Sequence, residues 1–134
     1  MPDSTQPQCT LPLPFPDDPL ERTVLVILRR MAIHGLRDAR ASWLAIEHFG
    51  LSFRQPLVLL RCYMHELASV SNRSIRIAPC CAPGMTRDEG LLMAALGAPA
   101  LDLLETLTDA DDVARVMTTA CAVRKALMEP GDAG

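Results

Sequence analysis

Asp18-Pro19-Leu20-Glu21-Arg22-Thr23-Val24-Leu25-Val26-Ile27-Leu28-Arg29-Arg30-Met31 is the stretch on which the fold turns. Asp18 can cap a helix, Pro19 occupies the first helical position without losing a needed donor, and Glu21 meets the positive end of the helix dipole. Leu20, Val24, Ile27, Leu28 and Met31 then recur at helical spacing, with Arg22 and Arg29 together on the far side. The spacing predicts an amphipathic helix that Gly35 ends. Its apolar stripe requires other helices to cover it.

Downstream segments supply them. A second helix, about 38–49, places Ala39, Trp43, Ile46 and Phe49 on one side, and Gly50 closes it. Trp43, the one tryptophan, is expected to anchor the core. A third helix opens near Ser52, tolerates Pro56 in its first turn and runs to about Val70, with Leu57, Leu60, Met64, Leu67 and Ala68 inward. Thr86-Arg87-Asp88-Glu89 matches a capping box and starts a fourth helix before Gly97. Pro99 opens a short fifth, and Asp109 is expected to cap a sixth that reaches about Met128, with Val113, Val116, Met117, Ala120 and Leu127 inward. The reading is an all-α, compact single-domain bundle of five or six helices with one irregular loop at about 71–86. Within that loop Ser74-Ile75-Arg76-Ile77 alternates like a short extended segment.

Composition agrees. The 134 residues, 49% hydrophobic and 22% charged with mean hydropathy +0.17, suit one folded domain and exclude wholesale disorder. No apolar run is long enough to cross a membrane, since the best, Val24–Leu28, stops at Arg29-Arg30. Residues 1–16 hold five of the eleven prolines and read as a Pro-rich arm, disordered or draped on the surface, before the helical domain at 17–129. Pro130 and Gly131 release a flexible tail over 130–134. No basic and apolar leader is visible at residues 1–15, so a cytoplasmic protein is expected. Five irregularly spaced cysteines, Cys9, Cys62, Cys80, Cys81 and Cys121, are expected to be reduced, with Cys121 a packing residue.

The net charge of −3 hides an uneven layout. Residues 22–87 carry ten arginines against three acids, whereas residues 88–134 carry nine acids against three bases. The simplest consequence of this Arg-rich centre is mutual neutralisation if the last helix lies against the third. The sharper one is a basic face, at Arg73, Arg76 and Arg87, for an anion or an acidic partner. Arg61 and Arg124 lie within apolar stripes, where they snorkel, pair with carboxylates such as Glu66 or Asp102, or, third, form a buried anion site. His34 and His48 stand where imidazole can serve helix C-terminal carbonyls.

Chemistry centres on the cysteine pair in Ala78-Pro79-Cys80-Cys81-Ala82-Pro83-Gly84-Met85-Thr86. Two thiols before a helix N-terminus, between Arg76 and Arg87, are placed for a lowered pKa. One use is a soft metal ion, Zn or Cu, held by Cys80, Cys81, Cys62 and His65, the last two being one helical turn apart. Another is thiol redox sensing, for which adjacent cysteines pair poorly. The preferred reading is that the prolines and Gly84 shape a turn over two small packed residues, with no cofactor. Standard catalytic patterns, including a G-x-S-x-G elbow, a phosphate-cradling Gly-rich loop, H-E-x-x-H and a dinucleotide fingerprint, are absent from the sequence, so an enzyme is not expected. Nucleic acid is not expected either, because the helix that would enter the groove uses Leu57, Leu60 and Met64 for core.

Pro56-Leu57-Val58-Leu59-Leu60-Arg61, followed by Ile75-Arg76-Ile77-Ala78-Pro79-Cys80-Cys81-x-Pro83-x-Met85-Thr86, resembles a family of small uncharacterised bacterial proteins found mainly in alphaproteobacteria. The resemblance spans roughly 17–128 and implies that the loop and helices form one unit, without implying an activity. The expectation is therefore a non-enzymatic helical interaction or regulatory module with an unidentified protein partner, self-association being open. The alternative is a thiol-dependent metal-binding or redox-sensing protein using Cys80 and Cys81.

Overall fold

A computed structural model describes residues 11–71, 74–79, 81–108 and 111–128. Six helices are found among them: α1 Pro19–His34, α2 Ala39–Phe49, α3 Arg54–Val70, α4 Arg87–Gly97, α5 Leu101–Glu105 and α6 Val113–Met128, with a 3-10 turn at Gly50–Ser52. The all-α bundle is the observed fold. Asp18 and Asp38 cap α1 and α2 by accepting from the N–H groups of Glu21 and Ala41. Gly35 and Gly50, at φ of 108° and 62°, take the turns after these helices that other residues rarely adopt.

The core lies where α3 packs along α6 while α1 closes against α2, α3 and α4. Val24, Ile27 and Leu28 of α1 meet Leu60, Tyr63 and Leu67 of α3 there, with Leu92, Val116 and Val123 beyond. Tyr63 is wholly buried, and its hydroxyl donates to the Leu92 carbonyl at 3.0 Å, since a buried phenol needs a partner. Burial pushes its pKa up.

Several expectations change. Trp43 is 54% exposed, because α2 turns Ala41 and Ala45 to the core. Those small residues let α2 approach its neighbours closely and leave the tryptophan face outside. Of the inward stripe of α3, Met64 is half-buried and Ala68 exposed. Cys121 is exposed instead of packed. Arg61 donates to the Leu36 carbonyl and Ser42 hydroxyl, not to a carboxylate, and Arg124 donates to the Gly97 carbonyl. Glu66 pairs with Arg115 of α6. The last helix begins at Val113, and its expected cap, Asp109, lies outside the described residues.

Two short strands complete the fold. β1, Leu13–Pro14, pairs antiparallel with β2, Gly84–Met85, so residues 11–16 of the Pro-rich arm are draped over the loop. Residues 1–10 and 129–134 lie outside the described residues. Close approach explains Gly84: a methyl group there would stand 2.7 Å from the Leu13 carbonyl oxygen and 3.2 Å from Leu11 Cβ. The alternating segment Ser74–Ile77 is not itself a strand.

Candidate functional site

Two consecutive carboxylates at the start of α4 organise the cysteine loop. Thr86 Oγ1 accepts from the Glu89 N–H at 3.0 Å, and Glu89 Oε1 accepts from the Thr86 N–H at 2.9 Å, forming the expected capping box. Glu89 does more than cap. Its Oε2 accepts from the Ala78 N–H at 3.1 Å, and Arg29 forks onto both oxygens, Nε to Oε2 at 2.8 Å and Nη2 to Oε1 at 3.0 Å. Each carboxylate oxygen thus receives two donors.

Arg29 reaches past Glu89 into the loop. Nη1 donates to the Ala82 carbonyl at 3.2 Å and Nη2 to the Gly84 carbonyl at 2.6 Å. Phe15 of the arm lies over Arg29, its ring centroid 5.5 Å from the Arg29 Cζ and 5.4 Å from the Arg22 Cζ. Arg22 and Arg29 do share a side of α1, as the spacing predicts, but Arg29 on that side is not in water. Its side chain is 0% exposed and that of Glu89 1%. Two buried charges would each cost several kcal/mol unpaired, so the bidentate geometry and the filled acceptor positions are what make their burial tolerable.

Asp88 holds the other side of the loop. Its Oδ2 accepts from the Arg76 N–H at 2.7 Å, and the Thr86 hydroxyl donates to the Arg76 carbonyl at 2.8 Å. Arg76 and Ala78, at alternate positions, are therefore hydrogen-bonded to side chains of α4 and its cap where a sheet would have used a neighbouring strand. Pro79 and Ala82 close a turn between the two anchor sets, with the Ala82 N–H donating to the Pro79 carbonyl at 3.0 Å.

This brace displays some predicted site residues and leaves others apart. Arg76 and Arg87 are exposed at the two ends of the loop, and neither guanidinium has a hydrogen-bond or ion-pair partner among the described residues. Cys81 is exposed and free at the turn, while Cys80 and Arg73 lie outside the described residues. Cys62 is exposed on α3, and His65 borders a pocket of about 340 Å³ whose lining includes Met31, Met64, Ile75 and Ile77. Among the described residues no group of three or more His, Cys, Asp or Glu side chains comes together to hold a metal. No described helix is long and apolar enough to cross a membrane.

Sequence reasoning passed over Arg29, Glu89 and Phe15 as one unit. Two sequence signals point to it: Leu25 and Arg29 stand four apart beside the main stripe, and Glu89 precedes the apolar run Leu91–Leu96. The molecule is, in class, a small helical bundle whose loop is braced by a sequestered Arg–Glu pair. The chain belongs to a family of unknown function, DUF6628, whose model matches residues 2–130. That match extends the resemblance over 17–128 at both ends and takes in the arm. No curated protein and no solved structure matches the chain.

Proposed function

We propose that the chain is a cytoplasmic, non-enzymatic interaction or regulatory module whose contact surface is the 73–87 loop. The observation that carries this reading is the use of the Arg29–Glu89 pair: four of its hydrogen bonds go to loop or cap backbone, to Ala78 N, Ala82 O, Gly84 O and Thr86 N. A backbone held at that many points keeps one shape, and a pre-shaped loop loses little entropy when a partner binds it. The exposed guanidiniums of Arg76 and Arg87 at its ends suit carboxylates, so the partner is a protein with an acidic face. We take the Cys-Cys-x-Pro-x-Met-Thr segment as the signature of this surface.

Crosslinking mass spectrometry in cell lysate, with the wild-type chain compared against Arg76→Ala/Arg87→Ala, tests the proposal. Contacts should concentrate at the loop and be lost in the double variant. Crosslinks to other proteins that leave the loop out and persist unchanged in the variant would end the reading, crosslinks between copies of this chain being set aside. The exposed, free Cys81 favours a second reading, thiol-dependent metal binding or redox sensing. Elemental analysis of anaerobically purified protein, beside a Cys80→Ser/Cys81→Ser variant, separates the two, since bound metal lost in the variant supports only the second.

A further inference from the structure

We infer that the exposed face of α2 is a self-complementary contact through which two copies of the chain associate about a two-fold axis. Arg40, Trp43 and Glu47 stand at i, i+3 and i+7, which at 100° per residue places them within one narrow face. All three are exposed, and neither charge has a side-chain partner among the described residues. A tryptophan with a free cation one turn before it and a free anion one turn after it has a natural complement: the same face, running the other way. In that arrangement Arg40 faces the partner's Glu47, Glu47 faces the partner's Arg40, and the two tryptophans lie side by side at the centre.

The surrounding surface supports the same occupant. Arg61 Nη2 donates to Ser42 Oγ at 3.1 Å, which sets one flank of α3 beside α2, and Val58, one turn before Arg61, is exposed. Ile46, one turn after Trp43 on α2, is exposed and extends the apolar area beside it. An aromatic centre with charges at its rim is how specific interfaces are built. A partner carrying one sign of charge would leave either Arg40 or Glu47 unanswered, whereas an isologous pair answers both, and two-fold dimers are the commonest closed assembly. α2 is about 16 Å long, so the contact is small and exchanges readily. It is separate from the loop and does not depend on the loop's binding a partner.

The lone tryptophan makes the test direct. Sedimentation equilibrium and Trp43 fluorescence are followed on the full chain from about 1 μM to about 1 mM, a range that spans weak interfaces. The expected result is a rise from monomer to dimer mass with a parallel blue shift. Arg40→Glu and Glu47→Arg should each weaken association at least tenfold. An equimolar mixture of the two variants should restore it, because the changed positions then face opposite charges. Circular dichroism melts establish that these surface variants fold. Monomer mass at every concentration, single variants that associate like wild type, or a mixture no tighter than its components would each overturn the inference.

Discussion

Arg29 gives the residue scale its clearest prediction. Arg29→Ala strands a buried carboxylate and frees two loop carbonyls, so equilibrium urea unfolding should show a loss of about 3–5 kcal/mol. Arg29→Lys should recover only part of it, because an ammonium keeps the charge but cannot fork onto both Glu89 oxygens and still reach Gly84. Trp43 makes the opposite case. At concentrations where the chain is monomeric, Trp43→Ala should change stability by less than about 0.5 kcal/mol, whereas a core tryptophan would cost about 3–5. Both residues depart from a single apolar stripe per helix, for one physical reason. A buried arginine looks like a surface residue in a periodicity count, and the small residues Ala41 and Ala45 weigh less in it than Trp43. The partner that buries Arg29 is 60 positions away, beyond the reach of any local pattern.

Caps are legible at the scale of elements because they are short-range chemistry. The Asp18 and Asp38 caps and the Thr86–Glu89 box form where the sequence placed them. Loop geometry was not legible, since it depends on α4 side chains bonding to backbone ten or more residues earlier. Thr86→Ala should therefore cost more than the usual cap loss of about 1 kcal/mol, because its hydroxyl also donates to the Arg76 carbonyl. Faster amide exchange at residues 76–78 would report the loosened strap. Asp38 adds a pH dependence. The Arg30 fork at 3.0 and 3.1 Å holds the Asp38 carboxyl below its ordinary value of 3.8, and the Ala41 N–H acts in the same direction against partial burial. The unfolded chain then takes up the proton first as pH falls. The contribution is complete above about 3.8 and is lost as pH drops through the lowered folded value. Asp38→Asn, which keeps a cap but no charge, should flatten the fall in stability over that window in acid-titration melts.

For the whole molecule, the class of fold was readable from helical spacing and short links, and α6 does lie along α3 as the charge layout invites. Neutralisation is less regular than the layout suggests. Arg29–Glu89 joins the basic middle to the acidic last third, but Arg115 of that last third pairs back to Glu66 of the middle. Arg115 is 60% exposed, so that pair contributes about 0–1 kcal/mol at most. The arm matters more than its proline content implied. Deleting residues 1–16 removes β1 and the Phe15 cover of Arg29, and a loss of about 1–2 kcal/mol corresponds to a melting point roughly 4–8 °C lower by scanning calorimetry. An unchanged melting point would mean the arm only rests on the surface. The pairing of Leu13 with Met85 also orders events during synthesis. At about 5–20 residues per second, a nascent chain carries its arm and an unmatched Arg29 for roughly 3–12 s before Glu89 is even polymerised. The earliest part of this fold to leave the ribosome is thus among the last to find its place.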